Sequence, residues 1–240
     1  MDMSGKDPFG TLLTFPELQD RVDAARSAIA RAHRRPAVLR RGDVVSSESV
    51  LRGARAAVAL GEGGGIPLAD AEPAADSSLA RAISAYSVLA PDRLDDSVRT
   101  FVRAPLQVIA RLDVLAGGTG LPSRETGRLQ EVARIIVTRP DGPAYDALLP
   151  AVVHAEIAGG ELFGPRSVVI AHAAARLAAV ATGFDPRGIA VPETYLNRHR
   201  AEYRRLLAGY VAGHQVDFFA QQLDAWAAGA KEADGIAKAA

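Results

Sequence analysis

The stretch from His154 to Arg176, HAEIAGGELFGPRSVVIAHAAAR, holds the residues of this chain whose types and spacing could do chemistry. It carries two histidines, His154 and His172, with Glu161, Arg166 and Ser167 between them, across a Gly/Pro-rich break between two helical patterns. A loop of this kind leading into a helix is where free N–H groups and the helix dipole favour a phosphate. A carboxylate such as Glu161 can act as a general base. Histidine can accept a proton near neutral pH, and an arginine at a helix start offers planar, charge-assisted donors to an anion. Each residue also has a plainer reading. His154 on an apolar helix is expected to be a hydrogen-bonded structural histidine, and no second metal-type ligand stands at helical spacing from it. Arg166 reads as a solvated loop arginine and Phe163 as a core anchor beneath the loop.

The elements that must position these residues are helical. Alanine, leucine and arginine at helical spacing dominate and alternating β-branched runs are nearly absent, so the fold class is all-α, with at most a short β-hairpin. A first helix is expected from Pro16 to the basic cluster RAHRRP, with Leu18, Val22, Ala25 and Ile29 on one face and Pro36 ending it. Ser46 or Ser47 should cap a second helix that GEGGGIP stops, leaving Glu62 in the break. A third is expected over 75–89, with Leu79, Ile83 and Tyr86 sharing a face. A fourth runs from Pro105 to Gly117 and Gly118. The next is capped near Ser123, and IIVTRPDGP after it reads as a short extended piece or hairpin arm. Asp141 and Pro143 then start a helix that Pro150 must kink or delay. The helix after the loop spans Ser167 to Thr182, with small residues that let neighbours approach closely. Pro192 opens one long helix through the basic cluster, and a last helix runs from His214 to about Ala230, followed by a tail at 231–240 that frays.

Composition limits the function classes. The net charge is +0, from 28 basic and 28 acidic residues, so no overall field attracts nucleic acid or an anionic membrane. The absence of cysteine removes disulfides, thiol nucleophiles and Cys-based zinc sites. With 240 residues the chain can bury a full core without such staples. The polar start MDMSGKDPFG lacks the apolar run of a secretory signal, and Arg or Asp interrupts every apolar stretch before it reaches the length of a membrane span. A cytoplasmic protein is expected. Arg198, Arg200, Arg204 and Arg205 around Tyr203 could bind RNA or an acidic partner, but with Glu202 nearby a solvated helix face is the simpler reading. Phe218, Phe219, Leu223 and Trp226 share one face of the last helix; packing against the domain is expected, with a helix-mediated partner contact as the alternative.

The region from Val153 to Arg176 resembles the Fic (Fido) family, whose helix-loop-helix signature is HPFxxGNGRxxR and is commonly preceded by a histidine on the incoming helix. With Phe163 aligned to the signature phenylalanine, His154 falls where many members carry that histidine. RGARAAVALGEGGGIPL looks like the family's inhibitory helix ending in Glu-Gly, which makes Glu62 the counterpart of the inhibitory glutamate. RAPLQVIARLDVLA and GFDPRGIAVPE are similar to segments of actinobacterial Fic-like proteins. The likeness covers 44–230, with 1–43 a helical N-terminal extension, and implies one Fic-like domain over 1–240.

The family moves AMP or another phosphate-containing moiety from a nucleotide to a hydroxyl, with the signature histidine as general base. Transferred position by position, the resemblance puts Glu161 at that histidine, Leu162 at the proline, and Phe163 at the one retained residue. Pro165 stands at the metal-binding acidic position, Arg166 and Val168 at the two glycines, Ser167 at the asparagine, Val169 at the first arginine and His172 at the second. Losing one preorganised electrostatic contact typically costs about 3 kcal/mol in the transition state, and several are lost here. The resemblance therefore implies a catalytically silent Fic-like domain, a pseudoenzyme that binds or regulates a protein partner, with no cofactor or metal and with a homodimer compatible. A divergent adenylyltransferase using Glu161 as base, with Arg166, Ser167 and His172 on ATP and magnesium, is the first alternative. An all-α interaction protein of merely similar architecture is the second. A contact between Glu62 and His172 is the sharper reading of Glu62; a solvated glutamate at a helix end is the simpler one.

Overall fold

The computed structural model describes residues 7–66, 73–124, 126–140 and 142–239. Among them the chain forms twelve α-helices and no strand, so the all-α class holds. Helix α1 (Pro16–His33) opens on a proline and buries Leu18, Val22, Ala25, Ala28, Ile29 and Ala32 as one stripe. Pro36 ends it by starting α2 (Pro36–Arg40). Helix α3 (Gly42–Glu62) begins before the expected serine cap: Ser46 and Ser49 lie buried within it, and Ser49 donates back to the Val45 carbonyl at 2.8 Å. It stops at Gly63, whose φ of 74° is open to glycine without a steric penalty. Glu62 is thus the last residue of α3 rather than part of the coil. Pro67, in the predicted stop, lies outside the described residues.

Ser77 caps α4 (Ser78–Tyr86), accepting from the Ala80 N–H at 3.1 Å, and a 3-10 turn carries the chain to Leu89. Helix α5 (Pro91–Arg103) has no counterpart in the sequence reading; it buries Leu94 and Phe101 and packs Val98 beside them, with a largely charged opposite face. Helix α6 (Pro105–Leu115) ends before Gly117 at φ 86°. Helix α7 (Gly127–Thr138) replaces the expected extended piece: Leu129, Val132, Ala133 and Ile136 are buried at helical spacing, and that tertiary burial overrides the β-branched preference of Ile135, Ile136 and Val137. Ser123 does not cap it. Its N–H and hydroxyl instead donate to the Leu162 carbonyl at 2.8 and 3.2 Å, strapping the α6–α7 connection onto a distant loop.

Helices α8 (Pro143–Gly159) and α9 (Ser167–Thr182) are buried nearly all round and form the centre of the molecule. Asp141 lies outside the described residues, and the helix starts at Pro143. Pro150 sits inside α8 and has no N–H to give to the Asp146 carbonyl one turn earlier. The Thr182 hydroxyl at the far end of α9 donates to that carbonyl at 3.1 Å, so the two helices run antiparallel with their outer ends joined.

The long helix expected from Pro192 is two, α10 (Pro192–Arg198) and α11 (Arg200–Val211), broken at His199 with φ −107° and ψ 33°. The predicted frayed tail is helix as well. Helix α12 (Val216–Ala239) buries Ala233, Ile236 and Ala237, and Asp234 and Glu232 pair with Arg35 and Arg52. Phe218, Phe219, Leu223 and Trp226 are all buried, which removes them as a surface for a partner. Helix α12 packs along α1 and α10, while α3, α4, α5 and α6 pack on α9, with α3 also touching α10 and α12. No described helix is long and apolar enough to cross a membrane.

Two glycines report how tight this packing is. A Cβ on Gly53 of α3 would lie 2.4 Å from Arg176 Nη1 and 2.9 Å from the Tyr86 ring, whereas one on Gly235 of α12 meets nothing within 4 Å. Gly53→Ala is expected to lower stability by about 2 kcal/mol or more through overpacking, and Gly235→Ala to raise it by about 0.5–1 kcal/mol through helix propensity. Urea unfolding midpoints for the two variants should therefore move in opposite directions.

Candidate functional site

The residues singled out by sequence fall in and around the α8–α9 connection. Glu161 begins it at φ 48°, a left-handed conformation unusual outside glycine. Its N–H donates to the Ala158 carbonyl, and that of Leu162 to the Ile157 carbonyl. Phe163 N–H donates to the Ser167 hydroxyl at 2.9 Å, Gly164 N–H to the Glu161 carbonyl, Arg166 N–H to the Phe163 carbonyl and Ser167 N–H to the Gly164 carbonyl. Pro165 has no N–H. From Glu161 to Ser167, then, every backbone donor is spent on the last turn of α8 or within the connection, or is missing at Pro165. Phe163 and Leu162, both nearly inaccessible, anchor the loop from below.

Side chains of the loop are engaged too. The Glu161 carboxylate meets Arg124 at 3.0 Å with both groups well exposed, a pair worth at most about 1 kcal/mol. Arg166 is not a free loop cation: its Nε donates to Asp113 Oδ1 at 2.7 Å. Asp113 is fully buried on α6 and its other oxygen accepts the Gly120 N–H at 2.8 Å.

His172 turns away from the loop into the core. It is 2% exposed, its ring centroid 4.3 Å from that of His154 and stacked on Tyr203 at 6.3 Å. The His154 Nε2 and the Tyr203 hydroxyl share a hydrogen bond of 2.7 Å, while His154 Nδ1 and His172 Nε2 have no partner among the described residues. Burial pulls the His154 pKa from 6.5 down to about 3. His172 is held well below its ordinary value by burial first, then by His154 and Arg176. Glu62 is exposed at the end of α3, and the contact with His172 does not form.

Glu62 instead lines a cleft of about 520 Å³ together with Val58 of α3, Arg81 of α4, and Pro165, Arg166 and Val169 of the loop and α9. Two segments more than a hundred residues apart in sequence, the end of α3 and the α8–α9 loop, thus line one depression. Among the described residues no group of three potential metal ligands comes together.

The most constrained charge is one the sequence reading passed over. Arg176, 1% exposed on α9, donates to the Ser49 and Gly188 carbonyls at 3.0 and 2.7 Å and lies 3.7 Å from Glu193 Oε1. The Tyr86 hydroxyl donates to the same Glu193 oxygen at 3.0 Å. Burial raises the Glu193 pKa, and Arg176 is the strongest opposing influence. An arginine inside an alanine-rich, otherwise apolar helix was the available signal, since such a charge must find partners. Asp113 in VIARLDVLA carried the same signal. The basic cluster divides its duties: Arg204 and Arg200 donate to the Leu60 and Gly63 carbonyls at the end of α3, Arg198 faces Glu232 at 3.6 Å and Arg205 faces Glu202 at 3.9 Å. Tyr203 at its centre is buried.

No model of a known protein family and no curated protein matches this chain.

The paired histidines set an acid limb. Both have folded pKa values below the unfolded value, so below pH 6.5 the unfolded chain takes up protons that the folded chain refuses, and stability is lost as pH falls from there toward about 3. Each histidine lowers the folding constant by up to about tenfold per pH unit across that window. His172→Phe removes one titrating ring, and with it a buried nitrogen that has no partner. Urea titrations between pH 7 and 4 should show a shallower acid limb in this variant, with its pH 7 stability retained.

Proposed function

We propose that the chain is a Fic-like (Fido) domain whose transferase chemistry has been lost and that it works as a binding or regulatory module. The observation that carries this reading is the use of loop donors. A phosphate-binding loop needs N–H groups pointing outward, and here those from Glu161 to Ser167 donate to the end of α8 or within the loop, or are replaced by proline. The other positions of the signature agree. Arg166 is neutralised by Asp113, and His172 lies in the core beside His154, so neither is placed as a cation for a nucleotide's phosphates. The resemblance to the family draws support from the cleft, which the segment like the inhibitory helix and the segment like the signature loop line together.

On this reading the module functions in the cytoplasm, requires neither ATP nor magnesium, and acts on a protein partner, as a monomer or a homodimer. Isothermal titration with ATP and magnesium is expected to give no saturable heat; micromolar affinity would overturn the proposal. The divergent transferase draws on one feature, the solvent-exposed carboxylate of Glu161 at the loop's turn. Incubation with radiolabelled ATP decides between the two: the silent domain leaves itself and lysate proteins unlabelled, whereas labelling abolished by Glu161→Ala establishes the transferase.

A further inference from the structure

We propose that the cleft between α3, α4 and the α8–α9 loop binds a small zwitterion carrying an apolar chain, the chemistry of an apolar α-amino acid. The inference rests on the preceding reading in one respect, that the cleft is not a nucleotide site. Its volume of about 520 Å³ lies within the range of small-molecule pockets. Charged groups of both signs line it without being paired to each other. Glu62 and Arg81 are both exposed and make no hydrogen bond or ion pair among the described residues. Arg166 uses only its Nε, on Asp113.

The two arginines are seated by one turn of chain. The stem of Arg81 lies across Gly117, where a Cβ would come within 3.0 Å of its Cδ, and Asp113, four residues earlier, holds Arg166. Between the charges the walls are apolar, with Val58, Ala82, Pro165 and Val169 contributing. The formal charge of the cleft cancels: Arg166 with Asp113 is neutral, and Arg81 balances Glu62. A phosphate carrying two negative charges would face Glu62 uncompensated and would find no free loop amide. A carboxylate fits the forked guanidinium of Arg81, an ammonium donates to Glu62, and an aliphatic chain covers the valines. One ligand that satisfies all three is a zwitterion with an apolar substituent.

L-Leucine is the probe, with 4-methylpentanoate, which lacks the ammonium, and 3-methylbutylamine, which lacks the carboxylate, as companions in saturation-transfer NMR and calorimetry on the full chain. Saturable L-leucine binding is expected, weakened about tenfold or more in each companion and, for L-leucine, in Glu62→Gln and Arg81→Gln. Both substituted residues are exposed, so thermal midpoints should stay at the wild-type value and certify the fold. Absence of saturable L-leucine binding up to about 10 mM, equal affinity for the companions, or unchanged affinity in both variants would overturn the proposal. Adding ATP and magnesium separates the two readings. Nucleotide binding without competition from L-leucine refutes the silent-domain reading alone, and failure of L-leucine with no nucleotide binding refutes the zwitterion alone.

Discussion

A guanidinium sealed from water has to be surrounded by acceptors, because the cost of stripping its hydration is recovered only through close, well-directed partners. Arg176 meets that demand with groups from α3, from the turn after α9 and from α10, and Glu193 in turn brings in the Tyr86 hydroxyl of α4. One charge therefore fixes four segments around α9. The requirement propagates to backbone: Gly53 must lack a side chain because the guanidinium, the tyrosine ring and the carboxylate all converge on it. Removing either ion would leave the other buried without compensation, which is why such a pair constrains the architecture more than it stabilises it.

Around that frame, the α8–α9 connection is held from several sides. It is strapped by Ser123 from outside, anchored by Leu162 and Phe163 from below, and closed on itself by its own amides. Catalytic loops keep donors unsatisfied until a substrate arrives. The donors of this connection are spent on the end of α8 and on the connection itself, while Arg81 and Glu62 face solvent in the neighbouring cleft.

The parts of this structure legible in the sequence are those with local signals. Proline at the first turn of α1, the α1 stripe, the limits of α9 and the glycines that stop α3 and α6 each follow from a short pattern. What escaped depended on distant partners. Helix α5 turns Leu94, Val98 and Phe101 to the core, a stripe short enough to be overlooked among charged neighbours; the β-branched end of α7 is helical because its other face is buried; the break at His199 has neither glycine nor proline. At the site, the residue types at Glu161, Arg166 and His172 could be read, but their states could not. Asp113 reaches Arg166 across 53 positions, and His172 points inward only because His154 and Tyr203 form a niche for it.

Pro150 shows how a missing donor can carry positional information. The carbonyl of Asp146 loses its usual donor four residues on inside an otherwise regular helix, and the hydroxyl of the last residue of α9 donates to it. Sliding α9 by one turn along α8 would break that bond and shift the histidine pair and Arg176 out of their niches together. The proline is thus an index mark for the central pair: it sets the register along a seam lined with small side chains, whose alanines alone would allow several alignments of nearly equal energy.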